Sequence, residues 1–175
     1  MKNRGVLDLS LRYIILLILG IFSTILFYFI FTPLTVYPVF WILHLIEGST
    51  KLLPGNLIFV KGFYAEIISA CVAGAAYYLL LILNLSTPMR SKKRIFSLLF
   101  LIFSFLLLNI SRILLFIYLL VSGYQYFELT HKLTWYFGST ILVVLLWFLN
   151  VFLFNIKNIP IYTDMKNLFS DVKKV

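Results

Sequence analysis

Four stretches of about 20 predominantly apolar residues dominate this chain, and each is long enough to cross the hydrocarbon core of a bilayer as a helix. They cover residues 13–31, 64–85, 95–118 and 131–154. The rest of the composition agrees: 62% of the 175 residues are hydrophobic and only 12% are charged, with a mean hydropathy of +1.03. The expected fold is an all-α membrane protein, a polytopic bundle of four transmembrane helices in a single integral-membrane domain spanning residues 1–175.

The net charge of +9 does not mark a nucleic-acid binder, because most basic residues sit in short clusters between apolar runs, as they do in membrane loops. With a cytoplasmic N-terminus, the inner side holds Lys2, Arg4, Arg12, Arg90, Lys92, Lys93, Arg94, Lys157, Lys166, Lys173 and Lys174. The outer side then holds Lys51, Lys61 and Lys132. Eleven against three satisfies the positive-inside rule and places both termini in the cytoplasm of a cell-membrane protein. The first span is too long for a cleaved signal peptide and is followed by Thr32-Pro33 where a small-residue cleavage site would stand, so it reads as an uncleaved anchor.

Residues 33–63 form an apolar outer segment interrupted by Pro33, Pro38, Gly48, Pro54, Gly55 and Gly62. Its apolar piece, residues 39–46, would reach only about 12 Å as a helix, so an interfacial or re-entrant helix is expected there. The polar tail, residues 155–175, is expected on the inner surface.

Composition also excludes chemistry. One cysteine, Cys71, rules out an internal disulfide, and one cysteine with two histidines argues against a structural zinc site. None of the six acids (Asp8, Glu47, Glu66, Glu128, Asp164, Asp171) lies mid-span, which removes aspartyl-dyad proteolysis. Gly48-Ser49-Thr50 is a poor substitute for a serine-nucleophile elbow.

Three residues stand out against this apolar background. Arg112 interrupts the run Leu106-Leu107-Leu108-Asn109-Ile110-Ser111-Arg112-Ile113-Leu114-Leu115, at a cost of about 2.5–3.5 kcal/mol even on the lenient insertion scale. Snorkelling would have to cover about 9 Å to the outer end of its span, so a functional role is the stronger reading. Asn109 lies one turn earlier on the same face and could share a polar pocket with it. Cys71 sits in Glu66-Ile67-Ile68-Ser69-Ala70-Cys71-Val72-Ala73-Gly74-Ala75-Ala76. Those small residues suit close helix packing, and Gly74 and Ala75 would also leave space beside the sulfur for a peptide. His131 opens the fourth span, where the positive helix terminus favours neutral imidazole and Glu128 could orient the ring. The other histidine, His44, in Trp41-Ile42-Leu43-His44-Leu45, reads as the polar edge of the outer helix. Cys71, Arg112 and His131 lie on separate spans and all fall in the outer leaflet, a coincidence that packing alone does not predict.

At these residues the chain resembles the exosortase/archaeosortase family of membrane cysteine transpeptidases. The resemblance covers residues 66–147 and rests on Glu66-Ile67-Ile68-Ser69-Ala70-Cys71 with Gly74, on Asn109-Ile110-Ser111-Arg112-Ile113, and on His131, in the family order Cys, Arg, His. Val72-Ala73 stand where most members carry Ser or Thr followed by Gly, and four spans are fewer than many relatives have. Both features resemble the compact archaeal branch called pacearchaeosortases. The resemblance implies Cys71, Arg112 and His131 as catalytic residues, with Glu66, Gly74, Asn109 and Glu128 in support. It implies as substrates secreted proteins ending in a short motif, a transmembrane helix and a basic cluster. These would be cut at the outer membrane face and transferred to a lipid or other surface acceptor, with no cofactor, metal or nucleic acid involved. The competing reading is a non-enzymatic small transporter or assembly subunit in which Arg112 is an anion site.

Overall fold

The computed structural model describes residues 26–156 together with Ile14. Helix α1 (Leu26–Ile46) is followed by three short strands, β1 (Lys51–Leu53), β2 (Leu57–Val60) and β3 (Phe63–Glu66). A one-turn helix α2 (Ser69–Val72) leads into α3 (Gly74–Ser86), and then come the long α4 (Ser91–Val121) and the short α5 (Phe127–Leu133). A π-helical turn, Thr134–Gly138, joins α5 to α6 (Ser139–Leu153). The described residues are mostly helical, and among them four helical stretches, Leu26–Ile46, Ser69–Ser86, Ser91–Val121 and Phe127–Leu153, are long and apolar enough to cross a membrane. Their outward faces carry large apolar side chains such as Phe29, Phe148 and Phe152, which favour contact with lipid over water.

Two expectations for the outer segment are corrected. No separate interfacial or re-entrant helix covers residues 39–46, because α1 continues through Pro33 and Pro38 to Ile46. A mid-helix proline removes one hydrogen bond and costs about 3 kcal/mol, which the packing along α1 offsets: Phe31, Val36, Val39 and Leu43 are all buried in the core. Nor is the fold all-α. Residues 51–66 form an antiparallel sheet of order β1-β2-β3, whose Ile58 and Val60 are buried in the same core as α1. The β2–β3 link is a two-residue hairpin in which both Lys61 (φ 48°) and Gly62 (φ 84°) are left-handed, the geometry that matches strand twist. An ion pair between Lys61 and Glu47 ties that hairpin to the end of α1. The second span is accordingly shorter than expected: residues 63–66 are strand and the helix begins at Ser69. The third helical stretch extends a few residues beyond its expected limits at both ends, and the fourth begins earlier than expected, at Phe127, and ends at Leu153. Residues 13 and 15–25 of the first span and 157–175 of the tail lie outside the described residues.

α4 packs antiparallel between α3 and α6. At the end of the bundle away from the sheet, Asn84 Nδ2 donates to Ser97 Oγ (2.8 Å), which donates to Asn150 Oδ1 (2.9 Å). This buried chain links three helices. Arg94, at the start of α4, donates to the Thr87 carbonyl (3.1 Å), and Lys93 to that of Asn155 (3.1 Å).

Candidate functional site

The site begins with a break in a helix. Ala73 adopts a left-handed conformation (φ 57°, ψ 42°), which ends α2 and restarts the chain as α3. For a residue with a Cβ this costs about 1–2 kcal/mol, and it interrupts the main-chain bonding of the preceding turn. Asn109 of α4 compensates, its Nδ2 donating to the carbonyls of Cys71 (2.9 Å) and Val72 (3.3 Å). Asn109 is thus more than a neighbour of Arg112: it holds the break that presents Cys71.

Arg112, one turn along α4, reaches the same place. One guanidinium nitrogen donates to the Cys71 carbonyl (3.4 Å) and another to Ser139 Oγ at the start of α6 (2.5 Å). Arg112 therefore joins the second, third and fourth spans at the cysteine. Ser139 was not singled out from sequence; the only available signal was a hydroxyl pair, Ser139-Thr140, in an apolar run. The π turn before it adds a residue to the helix, a feature often found at functional sites. A Cβ on Gly138 would come within 2.9 Å of Thr134 Cγ2, so this turn has no room for a larger residue.

His131 lies on α5, its ring stacked on Phe127 (centroids 5.7 Å apart, 6° between planes) and edge-on to Phe116 of α4 (4.9 Å, 90°). Among the described residues these aromatic contacts alone orient it. Glu128 points elsewhere and pairs with Lys132 at 2.7 Å on the exposed face.

Cys71, Arg112 and His131 line one cavity of about 440 Å³, within the range of small-ligand and substrate sites. Glu66 and Lys132 also line it, and the rest of the wall is largely apolar. Gly74 does not open space for a peptide as its sequence setting suggested. The ring of Tyr28 lies 3.1 Å from where its Cβ would be, so the missing side chain admits an α1 aromatic instead. His44 does not line the cavity: Nδ1 donates to the Thr50 carbonyl (3.3 Å) and the ring packs on Phe40 and Trp41. Among the described residues no group of three or more His, Cys, Asp and Glu side chains gathers as a metal site.

The structure is thus a mostly helical protein whose four long apolar helical stretches are compatible with a membrane protein, with a thiol, a guanidinium and an imidazole around one opening. Comparison with family models, curated proteins and solved structures finds no match.

Proposed function

We propose that this protein is a membrane-embedded cysteine peptidase or transpeptidase of the exosortase/archaeosortase type. The observation that carries the reading is that its one thiol, its one mid-span arginine and His131, supplied by three separate spans, line the same cavity. Cys71 alone would carry little; its company is specific.

A thiol needs a base to become a nucleophile near neutral pH. His131 takes the Cys71 proton, and Sγ attacks the scissile carbonyl carbon, forming a C–S bond and a tetrahedral oxyanion. The arginine side chain, permanently charged, lies beside this reaction and stabilises the negative charge in a medium of low dielectric. As the intermediate collapses, the C–N bond breaks and the imidazolium protonates the leaving amine. Attack on the resulting thioester by water completes a hydrolysis; attack by an amine or hydroxyl completes a transfer. The substrates are secreted proteins with a C-terminal motif, transmembrane helix and basic cluster, and the acceptor is a lipid or other surface group. The cavity faces the outside of the cell membrane, at the end of the bundle opposite the basic cluster Arg90, Lys92, Lys93 and Arg94, which lies on the cytoplasmic side with both termini.

The test is co-expression with a tagged secreted protein from the same genome that carries such a C-terminal signal. Wild type is expected to form a hydroxylamine-labile covalent adduct and to release the processed product. His131→Ala is expected to lose processing and His44→Ala to retain most of it. Processing that survives Cys71→Ala would overturn the thiol mechanism and favour the transport or assembly reading.

A further inference from the structure

One wall of the cavity takes no part in that chemistry. Tyr64, Ala65 and Glu66 of β3 all line it, and β3 is an edge strand with β2 on one side only. In an antiparallel ladder alternate residues turn their N–H and C=O toward the partner strand, and the residues between turn theirs away. The phase is set by Ile67, whose N–H donates to the Asn56 carbonyl (3.1 Å) just beyond the pairs Leu57↔Glu66, Ile58↔Ala65, Phe59↔Tyr64 and Val60↔Phe63. Phe63, Ala65 and Ile67 therefore face β2. The main-chain groups of Tyr64 and Glu66 face the opposite edge, where no strand pairs with them among the described residues.

An open edge invites pairing, and proteins usually blunt it with proline, a bulge or a covering element. Here it runs without proline or bulge into Ile67, Ile68 and the helical turn that bears Cys71. We infer that the β3 edge is the rail on which the polypeptide substrate docks: an extended segment adds as a fourth strand, hydrogen-bonded through the main chain of Tyr64 and Glu66, and is led along β3 to the thiol. This rests on the cysteine-peptidase reading above. Main-chain pairing of this kind recognises an extended conformation, while side-chain pockets select sequence at alternate positions. The apolar part of the cavity, Ile113, Phe116, Ile117, Leu120, Phe127 and Trp135, selects an apolar or aromatic side chain from the set that points inward. The substrate class is thus an unwound, extended peptide with a bulky apolar residue near the cut.

The test uses the purified full chain in lipid nanodiscs and a capped Leu-Phe-Leu vinyl sulfone, in which Cys71 Sγ adds to the vinyl carbon that bears the peptide, β to the sulfone, while a proton goes to the carbon that bears the sulfonyl group. Two isomers are N-methylated at one or the other of two adjacent amides. One is expected to label Cys71 about tenfold more slowly and the other to match the parent, as loss of a single hydrogen bond predicts. Equal rates for both isomers, fast or slow, would overturn the strand-pairing proposal. Tyr64→Pro removes one outward N–H and leaves the β2 ladder intact. It is expected to lower the ratio of the peptide-reagent rate to the iodoacetamide rate about tenfold; an unchanged ratio would also overturn the proposal. Inertness of Cys71 to iodoacetamide counts against the thiol reading instead. Docking is then read in Cys71→Ala by photo-crosslinking benzophenone versions of the same two isomers, where equal yields overturn the rail and unequal yields support it.

Discussion

Both ends of this bundle bury polar side chains where three helices meet, yet the two clusters are built differently. At the end away from the sheet, Asn84, Ser97 and Asn150 are fully buried and bonded to one another. At the sheet end, Cys71, Arg112 and His131 are only half-buried and line an opening. Polar groups that bond one another across helices fix register and close the structure. Polar groups that ring a cavity keep capacity for something else. Burial of polar atoms between helices is therefore a poor marker of function in such a protein; the marker is polar atoms presented to space.

The largest test of this contrast is Cys71→Ala. Substrate processing is expected to fall by at least about 10³-fold, while the melting temperature in detergent stays close to wild type, because the swap is small and apolar. A fall in stability comparable to that of the far-end variants would erase the distinction between the clusters. Arg112→Lys comes next. It keeps the charge but loses the fork that reaches the Cys71 carbonyl and Ser139 together, so kcat is expected to drop about 10²-fold in correctly inserted protein. Wild-type kcat would show that charge alone matters there.

At the closed end, Ser97→Ala removes the hydroxyl between two asparagines and leaves two buried amide groups without their bonds. A stability loss of about 1–2 kcal/mol is expected in reversible unfolding from mixed micelles, with turnover per folded molecule unchanged. Altered turnover would mean that the far end communicates with the site. The smallest effect belongs to Ala73→Gly, which relieves the left-handed strain at the break and is expected to raise stability by about 1 kcal/mol. A destabilised Gly variant would show that the Ala73 methyl contributes more by packing than its conformation costs.

The sequence carried the long apolar helices, because hydrophobic length is a local property that needs no partner to be read. It also singled out Cys71, Arg112 and His131, since a reactive or charged group in an apolar run is conspicuous wherever the run packs. It misled at the outer segment. Prolines and glycines there read as breaks in one apolar stretch, whereas Pro33 and Pro38 lie inside α1, and Gly55 and Gly62 turn a sheet. Whether a proline ends a helix depends on what packs around it, and the core that α1 shares with Ile58 and Val60 is not local information.

Tertiary structure alone decided how the pieces meet. Gly74 looked like room beside the sulfur until the Tyr28 ring filled it. Glu128 was a candidate to orient His131, but a partner four residues along its own helix holds it, and Phe116 and Phe127 hold the ring instead. Asn109 and Ser139 gained their roles from a helix break and a π turn that no periodicity announces. Residue type and hydropathy, which the chain carries position by position, determined the four long apolar helical stretches among the described residues and which side chains are out of place in them. The cavity and the partners of Arg112 depend on contacts between residues 27 and 41 positions apart, so they exist only once the helices have packed.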